Sequence, residues 1–293
     1  MGNTITDGSA VTAPSYITST SAVKTYLGIS DSTYDTVLAA LVAKASAMVE
    51  DACGRHIISA SYAKWLDGTG EDRLYLPETP VTAVSRISIG TDDAMAITCE
   101  ASDATHATVS VTDTYVICTV SDGASAATNS LAIGTYTTMA TMAAAINALS
   151  GSWTAEVLGT YDSFRTSTLR EMPSQFCLNT NARILMPSEP EADFVFHEDE
   201  GYVQLRAGGF MAGHGNIYAA WTAGYSTIPA AVQQVCIELV ANLFHQRKRD
   251  TSLSGETLGD YSWRAASGAS SASGGAFGPD LHQRLGKYRD VLP

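Results

Sequence analysis

Basic residues are scarce in this chain: 17 Lys and Arg stand against 30 Asp and Glu, for a formal net charge of −13. Such a balance repels phosphate backbones, so gripping nucleic acid is excluded as a main role. Long apolar runs are missing too. No stretch of about 18 apolar residues occurs, and no membrane span is expected. The N-terminus, MGNTITDGSAVTAPSY, lacks the basic start and apolar core of a secretory leader. Its Met-Gly start followed by Thr6 is a weak myristoylation signal without a second membrane cue. Cysteine is sparse and odd in number: Cys53, Cys99, Cys118, Cys177 and Cys236, with no C-x-x-C. Reduced thiols in a cytosolic folding environment are therefore expected rather than a disulfide framework. There is no G-x-S-x-G elbow, no Walker loop and no H-E-x-x-H. No cofactor and no metal is expected.

What is present begins with core material. Hydrophobic residues make up 45% of 293 positions, enough for one large domain or two modest ones. The clearest element is IPAAVQQVCIELVANLFHQRKRD, residues 228–250. Val232, Val235, Cys236, Leu239, Val240, Leu243 and Phe244 recur at steps of three and four, one apolar stripe on a helix. Pro229 suits its first turn, where a missing N–H costs nothing. Arg247, Lys248 and Arg249 suit its carbonyl end. The predicted helix is about 33 Å long at 1.5 Å per residue.

Upstream, TSTSAVKTYLG reads as a short helix capped by Thr18, Ser19 or Thr20 and stopped at Gly28. A second helix follows through residue 53, with Ser32 and Asp35 resembling a capping box and Gly54 past its end. Its stripe of Leu38, Leu41, Val42, Ala45, Met48, Val49 and Ala52 is the natural partner of the 228–250 stripe. From Tyr62 the period changes to two. Residues 62–66, 73–76 and 81–90 read as strands. Residues 97–185 are rich in Ala, Thr and Ser, with several strands and one helix, MATMAAAINALSG. They read as a β-rich module inserted into the parent domain. YVQLRAGGFMAGHGNIYAAWTAGYS then reads as a β-hairpin. TSLSGETLGDYSWR is a polar segment, and AASGASSASGGAFG has the composition of a flexible linker.

Two constellations invite chemistry. Residues 189–200 hold six acids and no base, among them Asp193, Glu198, Asp199 and Glu200 around His197. Carboxylates suit Ca²⁺ or Mg²⁺, but the run has no fixed ligand spacing, and a solvated acidic turn is the simpler reading. Gly208, Gly209, Gly213 and Gly215 precede a strand and not a helix, so a turn is favoured over a phosphate cradle.

The far C-terminus is more informative. Charge shifts there: residues 1–244 hold 10 basic and 25 acidic side chains, and residues 245–293 hold 7 and 5. Leu281, Leu285, Tyr288 and Leu292 fall on one narrow stripe, with Arg284, Lys287 and Arg289 on other faces. A helix of about a dozen residues is marginal alone in water. Tethered by a loose linker, it is either a docking peptide for a partner or a segment that folds back on its own domain.

Three stretches together carry a family resemblance. They are SAVKTYLGISDSTYDTVLAALVAKASAMVEDACGR, then AAWTAGYSTIPAAVQQVCIELVANLFHQR, then GETLGDYSWR with a terminal LGKYRDVL. In these the chain resembles the head–tail connector (adaptor, or head-completion) proteins of tailed bacteriophages. The resemblance implies a non-enzymatic virion protein. It implies a ring, typically of twelve subunits, between the portal protein and a tail-completion or stopper protein at the capsid vertex. DNA passes through the lumen without specific binding, and no membrane is involved. Assembly takes place in the host cytoplasm. The C-terminal segment would engage the portal, giving that role to Leu281, Arg284, Leu285, Lys287, Tyr288, Arg289 and Leu292. Two other readings stand beside it. One is a capsid decoration or tail-tip protein whose 97–185 module binds a surface ligand. The other is a hydrolase with a metal near His197.

The expected fold is α+β. Two N-terminal helices and a long C-terminal helix form a helical connector core, with a small antiparallel sheet and an inserted β-rich module. The expected divisions are 1–96 (first part of the core), 97–185 (insert), 186–264 (second part of the core) and 265–293 (linker and docking helix).

Overall fold

A computed structural model describes residues 16–189, 191–247, 255–258, 261–264 and 279–289. In chain order the first elements are α1 (Thr20–Leu27), α2 (Asp35–Cys53), β1 (Ala60–Gly68), β2 (Arg73–Tyr75), β3 (Val81–Ile89) and β4 (Thr91–Cys99). Next come β5 (His106–Val111), β6 (Tyr115–Ser121), β7 (Ala126–Ala132), α3 (Met139–Asn147) and β8 (Trp153–Val157). Then follow β9 (Met172–Phe176), β10 (Ala182–Pro187), β11 (Phe194–His197), β12 (Tyr202–Leu205) and β13 (Gly213–Ala223). The last are α4 (Ala230–Gln246), β14 (Gly255–Leu258), β15 (Tyr261–Arg264) and α5 (Pro279–Leu285). The chain divides into two units. One is Met1–Ser61, Leu76–Ala83 and Thr222–Pro293; the other is Tyr62–Tyr75 and Val84–Trp221.

The first unit is built on helices. Ser19 caps α1 by accepting the Ala22 N–H at 3.2 Å, and Gly28 ends it in the left-handed conformation. The capping box expected at Ser32 and Asp35 does not form. α2 begins only at Asp35, Tyr34 precedes it without a side-chain cap, and Asp35 instead pairs with Lys24 at 2.6 Å. The reason is local competition: the Asp31 side chain turns back to the Thr33 N–H at 2.9 Å, making a turn where the helix was expected to start. Leu38, Val42, Ala45 and Val49 of α2 meet Val232, Val235, Cys236, Leu239 and Val240 of α4 in one core. Burying each of the larger side chains contributes about 1.5–3 kcal/mol. Of the cations expected to end α4, Arg247 sits at its C-cap and donates to the Phe244 carbonyl at 2.6 Å. Lys248 and Arg249 lie outside the described residues.

The second unit is built on sheets. Strands β7-β6-β5-β9 form one sheet and β10-β4-β8 another, all paired antiparallel. Their inward residues, with Met139, Met142 and Ile146 of α3, make a single core. Thr138 and Thr141 cap α3 reciprocally. β12 lies between β11 and β2, while β13 lies between β1 and β3. The expected hairpin of residues 202–205 with 217–221 is therefore corrected. β12 pairs with its sequence neighbour β11 and with the distant β2, and β13 with the distant β1 and β3, so each arm lies inside a three-stranded sheet instead of a two-stranded ribbon.

The expected α+β fold with a helical core and a small sheet is also corrected. Strands hold 38% of the residues and helices 26%, the helices are short, and no long C-terminal helix forms the core. Helical stripes dominate a reading by period because each is continuous. The strands are short, rich in Thr, Ser and Ala, and alternate weakly, so their share is underread.

Candidate partner-binding surface

The C-terminal segment returns to the helices of its own unit. α5 continues as a tight turn of helix at Gly286–Tyr288. Leu281, Leu285 and Tyr288 are 6%, 0% and 8% exposed and belong to the same core as α2 and α4. The Tyr288 ring stands edge-on to Tyr225, with centroids 6.4 Å apart. Arg284 reaches α4, where Nη1 donates to Glu238 Oε2 at 2.6 Å and Nη2 to Oε1 at 3.4 Å. Gln234 donates to the same carboxylate at 2.8 Å. The Arg284 hydrogen bonds chiefly hold the Glu238 carboxyl below its ordinary value, against the opposing effect of burial. Arg289 Nε donates to the Ala52 carbonyl at 3.1 Å, placing a cation at the C-terminal end of α2. Lys287 lies over the Tyr288 ring, 4.9 Å from its centroid, and is exposed. Leu292 lies outside the described residues.

Of the residues expected to meet a partner, the structure thus gathers the apolar ones inward. It leaves Lys287 and Arg289 outward and Arg284 between. The helix stripe was visible in the sequence, but its receiving surface was not. Glu238 carries no signal by spacing, because only the tertiary fold brings residue 284 to residue 238.

The other sequence candidates are dispersed. In the acidic run, Glu189 and Glu191 turn to the buried Arg86, and Asp193 pairs with Arg206 at 3.0 Å. His197 stacks on Tyr202 with centroids 4.5 Å apart. No group of three or more His, Cys, Asp or Glu that could hold a metal occurs among the described residues. All five cysteines are free and buried. Burial pushes the thiols of Cys118 and Cys177 up to about 12 and that of Cys236 up to about 11, so they are poor nucleophiles. Arg55, which the sequence did not single out, sits just past α2. Nη1 donates to Thr79 Oγ1 at 3.4 Å and Nη2 to the Tyr225 hydroxyl at 3.3 Å.

No curated protein matches this chain. One solved structure that matches is described as "Neck of empty GTA particle computed with C6 symmetry". Its identity is 12% over 94% of this chain and 90% of that chain, with a TM-score of 0.35. Residues 16–142, a little under half the chain, match the family "Head completion protein". That span opens on α1 and α2, the helix pair in which the sequence resembles head–tail connectors, and over it the chain is similar to the head completion protein family.

Proposed function

We propose that this chain is a structural neck protein of a phage-like particle, an adaptor ring that joins the portal to the tail or stopper and performs no chemistry. The observation that carries this reading is the family match over residues 16–142. The charge balance of −13 supports a conduit role, since repeated copies of an acidic chain line a lumen that repels DNA and lets it slide. Twelve copies are the expected number, with residues 97–185 at the ring periphery.

The portal-binding role of residues 281–292 takes a specific form. Leu281, Leu285 and Tyr288 are covered by their own unit in the single subunit. Their stripe meets a portal only after the segment leaves its seat, whereas Lys287 and Arg289 are exposed from the start. The test is co-sedimentation of the full chain and of a chain ending at residue 264 with purified portal, alongside class-averaged micrographs. Ring-shaped averages and portal binding lost on truncation are the expected result. Undiminished binding of the truncated chain removes the portal role from this segment, and the absence of rings with or without portal removes the adaptor reading.

A further inference from the structure

We infer that Arg55, with Thr79 and Tyr225, forms a receptor for a carboxylate carried by a second copy of this chain, and that the acidic turn of residues 198–200 supplies it. A guanidinium has five N–H donors in a planar fork. In Arg55 one donor meets Thr79 and another meets Tyr225, both neutral hydroxyls and both at long range, 3.4 and 3.3 Å. The Nε–H is buried and has no acceptor. The guanidinium carbon lies 5.7 Å from the centroid of the Tyr225 ring. Among the described residues, Arg55 has no carboxylate partner.

That is an expensive arrangement for a half-buried charge. The contrast within the chain is Arg86, also buried, which has Ser88 on its Nε at 2.9 Å and both Glu189 and Glu191 beside it. Glu50, on α2 near Arg55 in sequence, is occupied elsewhere. Its Oε1 accepts from the Ile57 and Ile58 N–H groups, and its Oε2 faces His56 at 3.5 Å. Arg289 stands at the same end of α2, where its Nε donates to the Ala52 carbonyl at 3.1 Å. The engaged Nη1 and Nη2 each keep one further hydrogen. They leave the guanidinium able to donate to a carboxylate, the partner with which arginine makes its strong paired bonds.

The chain itself offers the ligand. The turn joining β11 to β12 carries Glu198, Asp199 and Glu200, all exposed. Glu200 faces His197 at 3.9 Å, and Glu198 and Asp199 have no ion pair among the described residues. A patch on one copy that meets a different patch on the next is a head-to-tail contact, the kind that closes into a ring. The inference therefore rests on the proposed self-assembly.

The experiment measures self-association of the full chain by analytical ultracentrifugation at low and high salt, alone and with portal. Arg55→Glu is expected to weaken association at least tenfold, and so is the pair Glu198→Lys with Asp199→Lys. The turn substitutions lie on an exposed loop and leave the Arg55 surroundings intact, so they report even if Arg55→Glu unfolds. Mixing the two variants offers the intact turn of one copy to the intact Arg55 of the other and sets the two reversed charges against each other, so association is expected to recover at least in part. Wild-type assembly that persists in Arg55→Glu overturns the inference and leaves the ring standing. Assembly that persists in the turn variant overturns the turn as the source. A wild-type chain that never self-associates under either condition overturns both the ring and the inference.

Discussion

The two units solve the same burial problem by different means. In the helical unit, α2 and α4 each present a continuous apolar stripe, and a segment from the far end of the chain, α5, covers what they leave open. In the sheet unit, the core comes from many short strands. Each contributes two or three inward residues such as Val109, Val116, Cys118 and Ile184, and α3 closes the layer. The helical unit holds Arg55 without an acidic partner among the described residues, and a C-terminal segment seated by the Arg284–Glu238 ion pair, the Arg289 hydrogen bond to Ala52 and a few apolar anchors. In the sheet unit Arg86 and the acidic run near it satisfy one another. A partner therefore has more to gain from the helical unit, where charge and apolar surface are only lightly committed.

The largest expected effect tests the sheet unit. Ile146 is fully buried in α3, and Ile146→Ala leaves a cavity that costs about 2–5 kcal/mol. Calorimetry of the full chain should show a lowered melting transition. A shift of under about 1 kcal/mol would mean that the layer under α3 collapses to fill the space. In the helical unit, Gly224 has φ +100, and an added Cβ would lie 2.5 Å from the Ile58 carbonyl oxygen. Gly224→Ala is expected to cost on the order of 3 kcal/mol by strain and clash together. A neutral result in a chemical denaturation series would show that the strand end there shifts freely.

Leu285→Ala sharpens the contrast further. Leu285 is as buried as Ile146, yet its loss is capped by the docking energy of a short segment, because α5 leaves before the unit unfolds. The main transition should move by less than for Ile146→Ala, while hydrogen exchange at residues 281–288 rises sharply. Equal shifts for the two substitutions would mean that α5 is integral to the helical core.

The smallest effect is a pH response. The Glu238 carboxyl is held below its ordinary value of 4.5, first by Arg284. A group whose folded-state pKa is depressed stabilises fully above its unfolded value, and that contribution fades as pH falls through the folded one. Exchange at residues 281–288 should accelerate below about pH 4.5, and Glu238→Gln should remove that pH dependence. An unchanged profile in the variant would place the acid sensitivity elsewhere.

Several features were legible in the residues alone. Ser19 and Gly28 bound α1 as their chemistry requires, and the apolar spacing of Val232 to Phe244 places α4. Strands β5 and β6 follow their alternation, and Gly54 ends α2. The strands β4, β9, β10 and β11 were not read. Their side chains are mixed, and their identity as strands depends on partners elsewhere, such as Ile97 opposite Ala182. The stripe at Leu281, Leu285 and Tyr288 was read, but the surface that it meets first was left open between a partner and its own domain.

By itself the sequence determined the charge, the Ser19 cap, the glycine stops of α1 and α2 and the helical stripes, because each depends on neighbours a few positions apart or on composition. Only the tertiary structure decided how the strands pair, where α5 sits and that Arg55 meets two hydroxyls and no carboxylate among the described residues. Those outcomes depend on contacts between residues dozens to hundreds of positions apart, as in Arg55 with Tyr225 and Arg289 with Ala52. No local period encodes such meetings, since they follow from the competition among all the surfaces the chain has to bury.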